Sequence, residues 1–520
     1  MEQKKYQVES SKPFSESMIW EINRGYYQKA GLNAWRDNDV PHHLTSNVMV
    51  GRAYAELIFG FLKDLASKGV TREKIYILEL GAGHGRLSFH VIKHLQRLIG
   101  MVDTVLPDFC YVLSDIVESN LDFFHAHPQF QEWFSKGLLD MAYFDGLESK
   151  ELLLRHSKTI LLPQQLDQPL IAIANYFFDS LPNALFQVKD GEIYNCSIAL
   201  ESALDPEGMD EATLLKNLEL VYDKAPLNIP FYEDPVIDEI LGDYKELVQE
   251  SYILFPEKGL QCIKNLQGLS SKGLMLLTMD KGYAEVHDLE GSDKPEIITH
   301  GSFSVWVNYH ALGAFCKKQG GNAMFPAFAS LYLQLGCLQF LPDGETYRET
   351  GAAYQRFVND FGPDDLNGLK RFTYQNFRQM NLMELIAILR LFGYDSTIFK
   401  NLLPWLKKIC KQVTFNERTR LAQTMHQTWE MYFTIYESFD LAYEIGGIFY
   451  DLGFYGDALL YFGHSAKLFG PKADIFYNQA LCHYQLRDDV HFVETLQQGR
   501  DQFPGYEKFE KLELLDLEAI

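Results

Sequence analysis

Short apolar runs recur through the first part of the chain and are separated by stretches with helical spacing. Each run is apolar at most positions, which is typical of a strand buried on both faces of a parallel sheet. The four clearest runs are IYILEL, FCYVLSD, LLDMAYFD and QPLIAIANYFFDSLP, at residues 75–80, 109–115, 138–145 and 168–182. After the first run, apolar residues follow a helical period as far as Gly100. This alternation predicts an α/β domain.

The last third of the chain shows only helical patterns, beginning near Leu369. Within it, the segment that starts at Ala442 is repeated 34 residues later, at Phe476. The paired positions are Tyr443 and Tyr477, Gly446 and Ala480, Tyr450 and Tyr484, Phe469 and Phe503, and Gly470 and Pro504. Small residues allow helices to approach and aromatic residues fill the gaps, so the pattern resembles tetratricopeptide (TPR) repeats. The alternative is an unrelated helical cap with a chance period.

A glycine-rich turn follows the first apolar run. Its glycines are Gly81, Gly83 and Gly85, and a helical pattern begins directly after it. Glycines let the backbone approach a ligand closely, and a helix N-terminus offers unpaired N–H groups. A dinucleotide fingerprint would need a further glycine where Arg86 stands. The spacing from Glu79 onward resembles instead motif I of class I S-adenosylmethionine (SAM) methyltransferases; an ordinary tight turn is the alternative.

The resemblance to motif I implies SAM as the cofactor and a set of donor-binding residues. These are Glu79, Gly81, Ala82, Gly83, Gly85, Asp115 and Asp145. The glutamate would help to hold the amino-acid end of SAM, and the turn would make room for it. The two aspartates end the second and third runs, where this class contacts the ribose and the adenine. An acid after a strand is often only a helix cap, but three acids in the expected order favour a site.

The fourth apolar run leads to Asn175 and then to Asp179. Sites in open α/β sheets lie at the carboxyl ends of the strands, so we expect both residues to face the donor methyl group as catalytic residues. This segment, NYFFDSLPNALFQV, resembles the NEFFDALP segment of the MidA-like methyltransferases, a family that includes a mitochondrial complex I assembly factor. Three more segments resemble that family in order: HHLTSNVMVGRAYAELIFGFL, GLMLLTMDKGY and SFSVWVNYHALGAF, at residues 42–62, 273–283 and 302–315.

The family resemblance implies a Rossmann-like methyltransferase fold with inserted helices, and the family's best-known activity is methylation of a protein arginine. The chain departs from the family pattern at Ala82, His84, Tyr176, Lys281 and Asn308. The changes at 176 and 308 each replace a carboxylate of the family. Because a guanidinium is best oriented and deprotonated by carboxylates, arginine does not follow as the acceptor. Asp179 and Asp280 are the candidate carboxylates that remain.

These patterns divide the chain into an N-terminal arm at residues 1–45, a SAM-dependent methyltransferase domain at 46–345 and an α-helical TPR-like domain at 369–520. Between the fourth and fifth strands of the methyltransferase domain lies an insertion, at about residues 201–269. It is rich in acids at first and then carries aromatic residues and prolines. It would form either a lid over the acceptor or an embellishment that covers the sheet.

Net charge and composition limit which binding partners and which cellular compartment we expect for the protein. The net charge is −23, which repels phosphate backbones and argues against nucleic acid as a partner. No apolar stretch approaches the length of a membrane span, and the N-terminus lacks a signal-peptide core. The seven cysteines are scattered without a C-x-x-C motif, which fits a reducing, cytoplasmic location.

The histidines give no metal-binding pattern, so we expect no metal site. The pairs considered are His42 with His43 and His125 with His127, and no cysteine lies near them. His84 is the one histidine that we consider a candidate functional residue, because it stands inside the glycine-rich turn. The alternative for His84 is a side chain that faces solvent.

The sequence leaves three functions open. The first is a SAM-dependent methyltransferase that acts on a protein side chain, with the C-terminal helices recruiting the substrate or partner. The second is a SAM-binding assembly or scaffold protein with little or no turnover. The third is a small-molecule methyltransferase whose repeats serve oligomerisation.

Overall fold

The computed structural model describes residues 5–36, 44–295, 298–300, 302–329, 332–341 and 347–517. The chain divides into two compact units, Met1–Asn367 and Gly368–Ile520. His42 and His43 lie outside the described residues.

The strands all belong to the first unit. They are β1 (Tyr6–Pro13), β2 (Ile75–Leu80), β3 (Phe109–Asp115), β4 (Leu139–Tyr143), β5 (Leu152–Leu153), β6 (Ile160–Leu161), β7 (Leu170–Asn175), β8 (Ala184–Lys189), β9 (Glu192–Ser202), β10 (Leu218–Pro226), β11 (Glu250–Phe255), β12 (Leu274–Tyr283), β13 (Ile298–His300), β14 (Ser302–Ser304), β15 (Val307–Asn308), β16 (Asn322–Met324) and β17 (Leu333–Phe340). The four predicted apolar runs thus form β2, β3, β4 and β7.

The helices occur in both units. They are α1 (Ile19–Ala30), α2 (Asn33–Arg36), α3 (Val48–Ser67), α4 (Arg86–Ile99), α5 (Glu118–Ala126), α6 (Gln131–Ser135), α7 (Glu211–Asn217), α8 (Pro235–Leu247), α9 (Glu257–Gln267), α10 (Val286–Leu289), α11 (Tyr309–Lys318), α12 (Arg348–Tyr354), α13 (Pro363–Asn376), α14 (Leu382–Leu391), α15 (Ser396–Ile409), α16 (Phe415–Glu430), α17 (Leu441–Leu452), α18 (Tyr455–Phe469), α19 (Ala473–Gln485), α20 (Asp489–Gln502) and α21 (Lys508–Leu517).

The main sheet has the order β16-β17-β12-β7-β2-β3-β4, and β15 also pairs with β12. Strands β4, β3, β2, β7 and β12 run parallel to one another. Strand β17 is antiparallel to both of its neighbours, β12 and β16. The chain leaves β2 toward β3 and later returns on the other side at β7. This reversal of strand order is a topological switch point, and ligands of open α/β sheets bind at the carboxyl ends of the strands beside it.

Helices α3 and α4 pack closely against each other because a glycine stands at their contact. Gly51 of α3 lies so near α4 that a Cβ atom on it would stand 2.4 Å from the Cβ atom of His90. All residues of β3 are buried, and those of β7 are buried except for the last. The central strands therefore need apolar residues on both faces, which is why the sequence shows them as nearly continuous apolar runs.

A second, five-stranded antiparallel sheet is built from β1 and β8–β11. Strand β9 pairs with β8, β10 and β1, and the pairing with β1 joins Tyr6 to Ser202. The segment predicted as an N-terminal arm thus contributes a strand to the first unit. The predicted insertion at residues 201–269 holds α7, β10, α8, β11 and α9.

The second unit is helical throughout its described residues. Helices α17 with α18 and α19 with α20 form two successive hairpins. Gly446 permits the close approach within the first hairpin, because a Cβ atom there would stand 2.8 Å from the ring of Phe462. The hairpins agree with the 34-residue period, and the assignment to TPR repeats stays a prediction.

The seven cysteines are all free and buried. Across the described ranges, no helix is both long and apolar enough to span a membrane.

Candidate functional site

The glycine turn, residues 81–85, connects β2 to α4 at the switch point of the main sheet. Gly81, Gly83 and Gly85 have φ angles of 59°, 60° and 74°, in the region that side chains other than glycine rarely adopt. The turn is also crowded: a Cβ atom on Gly85 would stand 3.1 Å from the ring of Phe130. Glycine is therefore required here by both backbone conformation and space. The N–H of Ala82 donates to the carbonyl oxygen of Ser114 at 2.9 Å, which ties the turn to β3.

Asp115, the last residue of β3, fixes the glycine turn in place. Its carboxylate accepts hydrogen bonds from the Gly83 N–H at 2.9 Å, the Val117 N–H at 2.9 Å and Nδ2 of Asn120 at 3.2 Å. Burial raises the pKa of Asp115, while these hydrogen bonds oppose the shift. The structure places Asp115 against the turn, and its contact with a ribose stays a prediction.

Glu79 lies behind the turn, near the end of β2, and is buried. Its carboxyl group accepts hydrogen bonds from the hydroxyls of Ser88 and Tyr111, the latter at 2.6 Å. Burial raises the pKa of Glu79 to about 7, although both hydrogen bonds favour the ionised form. The glutamate therefore gains or loses its proton near neutral pH, a property that the sequence motif did not indicate.

Asp145, two residues beyond β4, makes an ion pair with a residue that sequence reasoning missed. Its Oδ2 atom lies 2.6 Å from Nη2 of Arg24 in α1, and its Oδ1 atom accepts the Leu147 N–H at 3.0 Å. Arg24 and Asp145 are 121 residues apart, so no local pattern could have joined them.

His84 and Trp35 meet beside the glycine turn. His84 is buried, so the alternative that it faces solvent is wrong. Its Nδ1 atom accepts the Arg86 N–H at 3.1 Å, and its ring meets the Trp35 indole edge-on at 5.5 Å. The same indole lies against the turn, 3.0 Å from where a Cβ atom of Gly83 would stand. Trp35 is a second residue that sequence reasoning did not single out.

Asn175, at the end of β7, is held at both ends of its amide. Its Oδ1 atom accepts the Tyr54 hydroxyl at 3.1 Å, and its Nδ2 atom donates to the carbonyl oxygen of Thr45 at 3.1 Å. Burial raises the pKa of Tyr54 well above its usual range, so the hydroxyl stays protonated and can donate. The amide is therefore fixed in orientation where the sequence predicted a catalytic residue.

Asp179 and Asp280, the acidic pair, lie near the carboxyl ends of two neighbouring strands. Asp179 stands four residues beyond β7, and Asp280 stands three residues before the end of β12. The Oδ2 atom of Asp280 accepts the N–H groups of Phe177 and Phe178 at 3.3 and 3.2 Å. Its Oδ1 atom is buried and has no hydrogen-bond partner among the described residues. Burial raises the pKa of both carboxyls, and the charge of Asp179 raises that of Asp280 further. Two such carboxyls titrate as a unit and retain a proton more readily than a solvated acid.

The two positions that lost a carboxylate relative to the resembled family have different surroundings. Burial raises the pKa of the Tyr176 hydroxyl, and the negative charges of Asp280 and Asp179 raise it further. Its backbone has a φ of 50°, a strained conformation for a residue with a side chain. Asn308 instead caps α11, where its Oδ1 atom accepts the Ala311 N–H at 2.9 Å. The change at 176 therefore alters the site, whereas Asn308 serves the start of a helix.

One cluster of possible metal ligands occurs in the described part of the second unit: His483, Asp488 and His491, whose ligand atoms lie within 4.8 Å of one another. Asp488 caps α20 and lies 2.8 Å from Nδ1 of His491. The hydrogen bond between Asp488 and His491 raises the pKa of His491 and lowers the pKa of Asp488. A shared proton accounts for this contact, and the prediction that the protein holds no metal stays a prediction.

Comparisons with known proteins give only distant likenesses. No family model matches the chain, and no curated protein matches it. A solved structure of a COG1565 superfamily protein from Burkholderia thailandensis shares 10% identity over 66% of this chain and 90% of its own, with a TM-score of 0.40. Another COG1565 superfamily member from the same organism, crystallised with S-adenosyl-homocysteine, shares 12% identity over 61% and 75%, with a TM-score of 0.37. At such low similarity, the activity of this chain has to be inferred from its own residues.

Proposed function

We propose that the protein is a SAM-dependent methyltransferase whose donor lies on the glycine turn. The observation that carries the proposal is the turn itself: three glycines with positive φ, placed between a buried parallel strand and a helix at the switch point of the sheet. The N-terminus of α4, directly after the turn, offers a partial positive charge to the carboxylate of a ligand. Asp115 and Asp145 stand at the next two strand ends along the same edge.

The strand order agrees with this proposal at the level of the fold. With β15 left out and the other strands numbered in chain order, the sheet order is 3-2-1-4-5-7-6, with the seventh strand antiparallel. That is the arrangement of Rossmann-like methyltransferases. A fold can host several functions, so the order supports the class by analogy alone, and the proposal depends on the site residues.

The residues around the turn fit a bound donor. The positive φ angles of Gly81, Gly83 and Gly85 favour residues without a side chain at these three positions, and the buried hydroxyls of Ser88 and Tyr111 hold Glu79 close behind the turn. When bound, SAM supplies a methyl group on a positively charged sulfur. The chain's own residues would then orient the acceptor and take its proton, because transfer by in-line displacement asks mainly for alignment and proton removal.

We assign proton removal to the acidic pair and orientation to Asn175. Burial raises the pKa of Asp179 to about 7, which matches a group that exchanges a proton near neutral pH, and burial raises the pKa of Asp280 as well. Asn175 keeps a fixed amide beside them through its contacts with Tyr54 and Thr45. Buried carboxyls with phenol neighbours suit an acceptor that carries a proton to lose, such as a nitrogen of a protein side chain.

We further propose that the helices of the second unit recruit the protein that carries this acceptor. Two successive hairpins with a 34-residue period support this, because stacked hairpins present a continuous surface to a partner. An assembly protein that binds SAM with little turnover is the second candidate. Tyr176 favours it, since a bulky, strained residue stands beside the acidic pair where a carboxylate would help catalysis.

Two measurements separate these candidates. Calorimetry with SAM and with S-adenosylhomocysteine (SAH) tests donor binding, which both candidates require. Incubation with labelled SAM and a lysate of the protein's own cell tests turnover. Label that appears in a protein band and disappears with Asp179→Asn supports the enzyme, and donor binding without any labelled product supports the assembly protein. Label in small molecules alone would favour the small-molecule methyltransferase.

A further inference from the structure

Helices α1 and α2 place an aromatic side chain directly on the glycine turn. The indole of Trp35 lies 3.0 Å from where a Cβ atom of Gly83 would stand. It is held there by an edge-on contact with His84 at 5.5 Å and by stacking on Tyr27 at 6.3 Å. The backbone of the turn is therefore covered on this side by a ring from the N-terminal segment.

The same segment also reaches the third strand end. Arg24 of α1 makes its ion pair with Asp145, whose side chain is 9% exposed, whereas that of Arg24 is 39% exposed. The cation thus approaches a nearly buried carboxylate from the solvent side. Arg24 and Trp35 together lie across two positions, Asp145 and Gly83, where the donor would contact the chain.

One face of α1 is anchored to Phe303 of β14. Movement of Arg24 and Trp35 therefore depends on the Arg24 side chain and on helix α2, and not on a displacement of α1. Oδ1 of Asn23 accepts the Phe303 N–H at 2.9 Å, and Trp20 packs on the Phe303 ring at 4.9 Å. Helix α2 is only one turn long and follows Gly31, whose φ of 48° marks a sharp bend after α1. A one-turn helix is held mainly by its tertiary contacts, so Trp35 can shift without unfolding α1.

We propose that Arg24 and Trp35 form a gate over the glycine turn: the donor enters and leaves only while the guanidinium has moved off Asp145 and the indole off Gly83. This inference rests on the proposed function. The gate excludes water from the bound donor and limits the rates of donor binding and release.

The test is the rate of SAH binding to the full chain, followed by stopped-flow mixing. Removing a partly exposed ion pair with Arg24→Ala should speed both association and dissociation by about two- to fivefold. Trp35→Ala should speed both rates more. The matched control is Lys29→Ala, which removes another ion pair of α1, with Glu211 of α7 at 2.6 Å. It should leave both rates unchanged. Equal rates in the wild type and in both gate variants would overturn the proposal.

A measurement without any donor keeps the gate separate from the proposed function. Acrylamide quenching of Trp35, taken as the difference between the wild type and Trp35→Phe, reports how well the indole is covered. Arg24→Ala should make this indole more accessible, and Lys29→Ala should not. If calorimetry detects no SAH binding, the proposed function fails while the quenching result still decides whether the two residues act together. An unchanged quenching in Arg24→Ala would then count against the gate.

Discussion

At the glycine turn, Asp115 accepts three hydrogen bonds, two of them from backbone N–H groups. Across the sheet, one oxygen of Asp280 has no partner among the described residues, and its neighbour Asp179 has its pKa raised by burial. The hydrogen-bonding capacity of Asp115 at the turn is thus used by protein groups, whereas that of Asp280 in the acidic pair is used only in part. Full satisfaction holds a backbone in a fixed shape, which suits ligand binding. Incomplete satisfaction keeps a proton available, which suits chemistry.

The largest effect on donor binding should come from a side chain that fills the glycine turn. We expect Gly83→Val to abolish measurable SAH binding, because the new side chain meets Trp35 and requires a φ that L residues rarely adopt. Gly137→Val is the matched control, since Gly137 has a φ of 66° and a Cβ atom on it would meet no heavy atom within 4 Å. Calorimetry on both proteins checks this, and equal SAH affinity in the two would contradict the assignment of the turn.

The acidic pair should separate turnover from donor affinity. We expect Asp179→Asn to lower turnover by about 10²- to 10⁴-fold, the usual contribution of a general base, with SAH affinity nearly unchanged. Labelled-methyl transfer and calorimetry on the same preparation measure the two effects. Glu9→Gln is a control for loss of another buried carboxyl, one that accepts the Ser17 hydroxyl at 2.6 Å far along the chain from the acidic pair. Parallel loss of affinity and turnover in Asp179→Asn would place this residue in donor binding instead.

Much of this comparison could be predicted from sequence, because it depends on local patterns. The buried strands β2, β3, β4 and β7 are continuous apolar runs, and the acids at their ends follow directly. The partners of those acids could not be predicted. Arg24 and Trp35 reach the site from two helices, α1 and α2, whose positions are set by tertiary packing, and Asp280 meets Asp179 only because β12 lies beside β7.

The second sheet also could not be predicted from the sequence. Strand β1 has one buried residue out of eight and reads as a polar arm, yet it pairs with β9 nearly two hundred residues later. Asn308 illustrates the same limit, since the resemblance marked a lost carboxylate while the structure shows a helix cap.

The pH dependence of stability tests the buried carboxyl behind the turn. The pKa of Glu79 is about 7 in the folded protein, against 4.5 for the unfolded chain. The folded state then holds a proton that the unfolded state releases, so this contribution to stability is full below pH 4.5 and is lost as the pH rises through 7. We expect the free energy of unfolding to fall by up to about 3 kcal/mol across this window. Denaturant titrations at several pH values check it, and Glu79→Gln should flatten the dependence. An unchanged slope in the variant would contradict the assignment.

Asp115→Ala should weaken SAH binding and the fold together. Its loss leaves the Gly83 and Val117 N–H groups without their acceptor, at a cost of about 1–3 kcal/mol. Asp115→Asn retains an acceptor oxygen and should lose less. Calorimetry and denaturant unfolding measure both effects, and normal stability with weak SAH binding would show that Asp115 contacts the donor alone.

The smallest effect on donor binding should come from removing the second unit. A chain that ends at Asn367 keeps every residue of the proposed donor site, so its SAH affinity should match that of the full protein. It should lose the protein partner in pull-downs from the same lysate. A shortened chain that keeps its partner would move recruitment to the first unit.

Calorimetry of the full wild-type chain with SAH tests the central claim most directly. We expect one site per chain with a Kd well below millimolar, and we expect Gly83→Val to lose that site while Gly137→Val retains it. Absence of binding up to about millimolar SAH, with the chain folded, would contradict the claim that the glycine turn holds this donor.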